Sequence, residues 1–322
     1  MTARPVRGWC LLAFESELRD TLTPSTAGNI RVVIVRHAGE VRVVDGDCPH
    51  RGAHLAHGRL ERDRIVCPFH GHRIGLGDTG DEPGSCRFRV REYPTLVVGG
   101  MVFARFGTGH EHGLEAYLTE LDHTHYVITG FTMPVRAGAH WVTENALDDA
   151  HFRQVHGIGT RPGLDVTTGP DGELVATGFF ALPRAAGAGR SGDGPVRVSY
   201  EARVYSPWLV VSALGGSRPY IIVTGATPLP DGTCTVRLAL VAPPHADATP
   251  DGEWCREILR NSRDGLERDR AVWEHLSPTT PFSPTPQDAP VLAFRDFCRP
   301  FQDAGPAPSI PFRREAAGAG TS

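Results

Sequence analysis

Apolar runs with a two-residue period dominate the first third of the chain. A β-branched run at 30–35 predicts a strand, and two further apolar runs at 96–98 and 101–104 flank Gly99-Gly100. A Gly-Gly pair between two such runs is typical of a β-hairpin turn. The pattern therefore predicts a β-rich first domain, which we place at residues 1–110.

After residue 110 the pattern changes to a mixture of helical and strand-like periods. A helix-like stretch spans 143–155, and a longer helical pattern spans 252–276. Between them, strands are predicted at 166–168, 174–180, 196–204, 209–214, 220–223 and 233–241. We assign 111–312 to a second domain, and we expect the Gly/Ala-rich segment 313–322 to be a flexible tail.

Composition and charge narrow the classes of function. With 40% hydrophobic and 22% charged residues the chain can bury a core, and its net charge of −4 disfavours a nucleic-acid binder. An odd count of seven cysteines argues against a disulfide framework. The chain contains no apolar run long enough to span a membrane, and its N-terminus lacks the apolar core of a secretion signal. We therefore expect a cytoplasmic protein.

Two short segments rich in cysteine and histidine carry the first candidate site. Residues 48–54 read CPHRGAH and residues 67–72 read CPFHGH. Each segment places one thiol and one imidazole on a tight turn bounded by Pro and Gly. The four candidate ligands are Cys48, His50, Cys67 and His70. Two thiolates with two imidazoles suit either a Zn²⁺ ion or a Rieske [2Fe–2S] cluster.

This pair of motifs resembles the signature of Rieske domains. Respiratory Rieske proteins carry two further cysteines, and the corresponding positions here hold Ala53 and Phe69, which resembles the oxygenase and ferredoxin branch. The resemblance implies that the two cysteines and two histidines bind a [2Fe–2S] cluster.

The second candidate site lies in the segment ENALDDAHFRQVHG, residues 144–157. On a continuous helix, Asn145, Asp148 and His151 share one half with apolar residues, whereas Asp149 falls on the other half. His156 follows His151 by five residues, so the two imidazoles converge only if the helix bulges or ends between them. A partly buried helix with hydrogen-bonded histidines fits this pattern as well.

The pattern E-N-x2-D-x2-H-x4-H, downstream of a Rieske domain, resembles the mononuclear iron motif of Rieske non-haem iron oxygenases. The resemblance implies that His151 and His156 bind Fe(II), together with a carboxylate from far downstream. It also implies that Asp148 bridges towards a Rieske histidine of a neighbouring subunit, and that Asn145 lies near the iron.

The downstream carboxylate is predicted from the late helix. Its apolar stripe is formed by Leu259, Leu266, Trp273 and Leu276. Asp269 falls within that stripe, and an acid on a buried face needs a strong partner such as a metal. Glu267 is the next candidate. Four acids are predicted on the solvent face: Glu257, Asp264, Glu267 and Glu274.

Nearly the whole chain resembles the ketosteroid hydroxylase and cholesterol desaturase branch of these oxygenases. The resemblance rests on Gly8-Trp9, the two Cys/His loops, the HFRQVHG segment and the late D-x3-W helix. It implies an α+β fold, with a Rieske domain followed by a helix-grip domain whose antiparallel sheet lines the pocket. Candidate pocket residues are Val211, Ala213, Tyr220 and Ile222.

The function implied is that of a terminal oxygenase, which uses O₂ and electrons from a ferredoxin or a reductase to hydroxylate a small organic molecule. A specialised metabolite is the expected kind of substrate, and a homotrimeric ring is the expected assembly. Desaturation and amine N-oxygenation are alternatives at the same iron site. An electron-transfer protein without an iron site and a carrier of apolar ligands are alternatives of another class.

Overall fold

The computed structural model describes residues 6–76, 88–159, 161–182, 196–244, 249–250, 252–277 and 279–302. The tail predicted at 313–322 lies outside these residues.

The first region of the described chain consists of strands arranged in three small sheets. Its strands are β1 (Gly8–Phe14), β2 (Leu22–Ala27), β3 (Ile30–His37), β4 (Glu40–Asp45), β5 (Arg59–Glu61), β6 (Arg64–Val66), β7 (Arg73–Leu76), β8 (Phe88–Val90), β9 (Glu92–Tyr93), β10 (Thr95–Val98) and β11 (Met101–Phe106). The sheets have the orders β1-β11-β10, β2-β3-β4-β9 and β5-β6-β7-β8. The predicted hairpin is confirmed, because Gly99 and Gly100 join β10 to β11 with φ of 53° and 77°.

The second region combines one large sheet with helices. Its elements are α1 (Leu114–Thr124), β12 (Tyr126–Val135), α2 (Ala139–Asn145), α3 (His151–Gln154), β13 (Asp165–Thr168), β14 (Leu174–Leu182), β15 (Val196–Ser206), β16 (Leu209–Leu214), β17 (Tyr220–Pro228), β18 (Cys234–Ala242), α4 (Glu253–Trp273) and α5 (Ala289–Cys298). The seven strands follow the order β12-β18-β17-β16-β15-β14-β13, and every neighbouring pair is antiparallel.

Alternate residues of the large sheet pack against different layers. Leu238 and Leu240 of β18 belong to the apolar cluster that includes Trp273 of α4. Ala239 and Val241, between and after them, belong to the opposite cluster, which includes α1 and β1. The two-residue period of a strand explains this division. The predicted α+β architecture, a β-rich first region followed by a domain built on an antiparallel sheet, is confirmed.

The two regions share a packed interface between β1 and the large sheet. Trp9 and Leu11 belong to the same buried cluster as Val223. The Ser206 hydroxyl donates a hydrogen bond of 2.7 Å to the Trp9 carbonyl, and the Thr227 hydroxyl donates one of 2.6 Å to the Leu11 carbonyl. The boundary at residue 110 falls between β11 and α1 and stays a prediction.

The continuous helix predicted at 143–155 is wrong. The chain forms α2 and α3 there, with residues 146–150 between them. The carboxylate of Asp148 accepts hydrogen bonds from the backbone amides of Ala150 and His151, at 3.0 and 3.3 Å. A short acidic side chain that bonds nearby amides competes with the helical hydrogen bonds, so a new helix starts at His151.

Candidate metal centres

Two equivalent loops hold the cysteine and histidine pairs. The Cys48 amide donates to the Ala53 carbonyl at 2.9 Å, and the Cys67 amide donates to the His72 carbonyl at 2.8 Å. Gly52 and Gly71 then donate back to the carbonyls of Cys48 and Cys67 at 2.8 and 3.1 Å. Both glycines have φ near +70° (72° and 71°), a conformation that residues with a β-carbon rarely adopt.

The loops bring the four predicted cluster residues together. The Nδ1 atoms of His50 and His70 face each other at 3.2 Å, and the thiols of Cys48 and Cys67 are in hydrogen-bond contact. Both cysteines are buried, whereas both histidines are exposed.

The protonation chemistry of this set fits a Rieske cluster. Burial is the main cause that raises the pKa of the Cys48 thiol, and the adjacent Cys67 thiol raises it further. Desolvation lowers the pKa of His50, and the His72 and His70 imidazoles add to that effect. Buried cysteines can bind a cation as thiolates, and converging imidazoles offer nitrogen lone pairs to it. A Rieske [2Fe–2S] cluster uses both kinds of donor.

His72, which the sequence places in the second loop without a predicted ligand role, is a close neighbour of this site. One of its ring nitrogens lies within 4.8 Å of ligand atoms of both His50 and His70. Its ring centroid is 4.6 Å from that of His50. The only sequence signal was its position two residues after His70, on the same turn.

The second candidate centre combines side chains from α3, from the turn that follows it, and from α4. One ligand atom each of His151, His156 and Asp269 lies within 4.8 Å of the others. His156 Nε2 is 3.1 Å from Asp269 Oδ1, and the two imidazole rings meet edge to face with centroids 5.1 Å apart. Two imidazoles and one carboxylate are the donor set of a facial triad for non-haem iron.

The end of α3 makes this convergence possible. The helix ends at Gln154, and the Gly157 amide bonds the Arg153 carbonyl at 3.1 Å with a φ of 67° at Gly157. A glycine in this conformation is a common helix terminator. His156 therefore lies outside the helical turn of His151, and its ring can approach the same point.

His151 is held as a neutral imidazole. Its Nδ1 lies 2.5 Å from the Asp148 carbonyl oxygen, and its Nε2 lies 3.0 Å from Asn145 Nδ2. Burial is the largest influence on His151 and lowers its pKa, although Asp269 and Asp148 oppose that effect. A neutral imidazole keeps the lone pair that a metal requires.

Asp269 differs from the other acids of α4. It is 7% exposed, whereas the Glu267 side chain is 40% exposed and pairs with Arg270 at 2.7 Å. Glu257 and Asp264 are also exposed, as predicted.

The prediction that Glu274 lies on the solvent face is wrong, because its side chain is largely covered and pairs with Arg136 at 2.9 Å. The prediction that Leu276 belongs to the apolar stripe of the helix is also wrong, because α4 ends at Trp273 and Leu276 is exposed.

The position of Asp149 also corrects the sequence prediction. It was expected on the solvent side of a continuous helix, but it is buried and pairs with Arg161 at 3.0 Å. It also accepts the Gly163 amide at 3.3 Å. The break between α2 and α3 changes the direction of the chain, so helical periodicity does not apply across it.

Aromatic residues pack beside the His151 ring. Phe152 lies 4.0 Å from His151, and its ring meets those of Phe180 and Tyr200 at 4.8 and 5.7 Å between centroids. The buried Tyr200 hydroxyl donates to the Ala146 carbonyl at 2.9 Å, and burial raises its pKa to about 12. Tyr200 thereby ties the segment between α2 and α3 to the sheet.

Two of the predicted pocket residues lie on the face of the sheet opposite to α4, which carries Asp269. Val211 belongs to the cluster shared with β1, and Ala213 lies on the same face two residues later. Ile222 pairs directly with Ser212 and belongs to the cluster on the helix side, and Tyr220 packs against that cluster. A shift of one residue along a strand changes the face, which the sequence pattern of β16 did not reveal.

Comparisons with known proteins agree with this arrangement. Residues 8–94 match the family described as Rieske [2Fe-2S] domain, and residues 115–301 match the family described as 3-ketosteroid 9alpha-hydroxylase C-terminal domain. The oxygenase component of 3-ketosteroid-9-alpha-monooxygenase from Rhodococcus rhodochrous is 23% identical over 92% of this chain and 81% of that protein.

Two further similar proteins either match a smaller part of the chain or are less identical in sequence. Cholesterol 7-desaturase from Xenopus laevis is 32% identical over 40% of this chain, and the matched region spans only 30% of the desaturase. The crystal structure of dicamba monooxygenase with non-heme iron has a TM-score of 0.70 at 15% identity, over 92% of this chain and 96% of that one. The latter similarity concerns the fold.

No helix in the described part of the chain has the length and hydropathy that crossing a membrane requires. The second family match covers more than half of the chain and follows directly on the Rieske match. The protein therefore belongs to the Rieske oxygenases that carry the 3-ketosteroid 9α-hydroxylase type of C-terminal domain.

Proposed function

We propose that the chain is the terminal oxygenase component of a Rieske monooxygenase system, which oxidises a small organic substrate with O₂. The observation that carries this proposal is the convergence of His151, His156 and Asp269 in a chain that also holds the two Cys/His loops. An electron-transfer protein would not need the buried triad, and a carrier of apolar ligands would need neither site.

The residues of the chain prepare both sites for their metals. Cys48, His50, Cys67 and His70 would hold the [2Fe–2S] cluster. His151, His156 and Asp269 would hold Fe(II). Iron with three protein ligands has open positions and supplies the redox chemistry with O₂.

The surroundings of the triad have complementary roles. The Asp148 carbonyl keeps the proton of His151 on Nδ1, which leaves Nε2 as the atom that would bind the metal. The aromatic rings of Phe152, Phe180 and Tyr200 keep water from the His151 side of the site.

Hydroxylation is the reaction we propose, with desaturation and amine N-oxygenation as alternatives. The names of the relatives, a monooxygenase and a desaturase, support one iron site with more than one outcome. A specialised metabolite is the proposed kind of substrate, so the enzyme would serve biosynthesis. A cytoplasmic location is proposed, with a ferredoxin or a reductase as the electron donor.

A homotrimeric head-to-tail ring is the proposed assembly. The cluster end of the first region is exposed, and Phe69 there is 60% exposed beside His70. A large apolar side chain at such a tip favours burial against another protein surface. In a ring, Asp148 of one subunit would bridge to His70 or His50 of the next.

Metal analysis and isotope labelling test this function. Anaerobically purified protein should contain about three iron atoms per chain, two in the cluster and one mononuclear. Two iron atoms per chain would indicate an electron-transfer protein, and one zinc without visible absorbance would refute the proposal.

Isotope labelling distinguishes the reactions. With ¹⁸O₂ and a substrate panel headed by a 3-ketosteroid and cholesterol, hydroxylation places one ¹⁸O on carbon. Desaturation places none, and N-oxygenation places it on nitrogen.

A further inference from the structure

Both ring nitrogens of His151 are engaged within the chain. Nδ1 lies 2.5 Å from the Asp148 carbonyl oxygen, and Nε2 lies 3.0 Å from Asn145 Nδ2. A carbonyl oxygen can only accept a hydrogen bond, so the proton of the imidazole is on Nδ1. Nε2 then carries the lone pair, and the Asn145 amide is the donor to it.

The same lone pair is the one that a metal needs. Nδ1 is occupied by the backbone, so His151 can bind a metal in the triad only through Nε2. Asn145 is the last residue of α2, and its side chain reaches across the break to His151 at the start of α3. The amide and the metal therefore compete for one atom.

We propose that Asn145 is a latch: its amide and a metal exclude each other at His151 Nε2, so the amide must leave when the metal binds. Asn145 is thus a positioning residue, and this inference rests on the proposed iron site. The orientation of His151 does not depend on the latch alone, because the Asp148 carbonyl and burial also fix the ring. Removal of the amide therefore removes competition and leaves the ligand in place.

Metal affinity measures the latch directly. The full chain would be purified with its cluster, freed of mononuclear iron by a chelator, and titrated anaerobically with Co²⁺ in a calorimeter. Asn145→Ala should lower the Kd for Co²⁺ about fivefold, equal to about 1 kcal/mol. Asn145→Leu fills the volume of the amide without a donor and should give the same change, even if the alanine variant folds poorly.

The control is Asn261→Ala, at an exposed asparagine of α4, which should leave the Kd unchanged. The visible spectrum of the cluster verifies the fold of each variant. An unchanged or higher Kd in the folded Asn145 variants would refute the latch alone. A wild-type chain that binds no Co²⁺ at the triad would refute the proposed function and the latch together.

A second measurement uses the wild-type chain. In ¹⁵N spectra the side-chain amide signals of Asn145, identified by their absence in Asn145→Leu, should shift when diamagnetic Zn²⁺ is added. Signals that do not move while Zn²⁺ binds would mean that the amide never leaves, and the latch would be refuted.

Discussion

At the scale of single residues, two neighbouring carboxylates of α4 lie in contrasting environments. Asp269 is buried among apolar neighbours of α4 and pairs with His156. Glu267, two residues earlier, has a side chain that is 40% exposed and paired with Arg270 on the same helix. An acid in the first environment is unfavourable without a cation, whereas an exposed pair contributes little.

This contrast leads to a matched pair of variants. Asp269→Ala should weaken binding of mononuclear iron by more than about a hundredfold, because loss of a direct ligand should exceed the effect of losing an outer partner. The cluster spectrum should stay unchanged. Glu267→Ala should keep its iron and change the free energy of unfolding by less than about 0.5 kcal/mol. Iron analysis and visible spectra measure both. If Glu267→Ala lost its mononuclear iron while Asp269→Ala kept it, the assignment of the third ligand would be overturned.

The residue scale is also where the sequence was most informative. Motif spacing could predict that two equivalent loops carry Cys48, His50, Cys67 and His70, because a tight loop fixes the relative positions of neighbouring side chains. The roles of His72 and Asp149 could not, since they depend on how separate loops meet in space. The same limit applies to Val211 and Ala213, whose face on the sheet is set by the pairing register.

At the scale of elements, strong local sequence signals gave correct predictions, whereas elements with weak signals were not predicted. The Gly-Gly hairpin and the strand β16 were found within their observed bounds or close to them. The helix α1 was missed, although Leu114, Leu118 and Leu121 form a buried stripe, because the Gly-, His- and Glu-rich segment 107–114 is typical of a linker and overlaps its start. The break between α2 and α3 was missed because a capping aspartate inside an otherwise helical pattern is a local signal of low specificity.

Packing between elements leads to a prediction at the interface of the two regions. A β-carbon on Gly225 of β17 would lie 2.5 Å from the β-carbon of Leu11 in β1. Gly225→Ala should therefore lower the free energy of unfolding by about 1–3 kcal/mol, as for other overpacked cores. Gly75→Ala, in strand β7, is the control, because its nearest neighbour would be at an ordinary 3.6 Å. Denaturant unfolding measures both. Equal stability of the two variants would mean that β1 and β17 are not packed as closely as described.

At the scale of the whole molecule, the two candidate centres belong to different regions of the chain. The cluster loops lie between strands of the first region, whereas the triad is formed by α3, the turn that follows it, and α4 in the second region. The interface through β1 fixes the two regions against each other, so neither centre can move freely towards the other. The exposed cluster tip is instead available to a second subunit, which is the basis of the proposed ring.

Mixed assemblies test whether electron delivery crosses between subunits. A Cys48→Ser chain should keep mononuclear iron but lose the cluster, and a His151→Ala chain should keep the cluster but lose that iron. Each should be inactive alone. In rings assembled from equal amounts of both, about one interface in four pairs an intact cluster with an intact iron site, so activity should recover to about a quarter of wild type. A path within one chain would give no recovery.

The Asp148→Asn exchange, made in both chains, keeps an oxygen that can cap α3 and removes the charge. If Asp148 is the bridge, this exchange should abolish the recovery while both metals stay bound; recovery that persists after the exchange would place the bridge elsewhere.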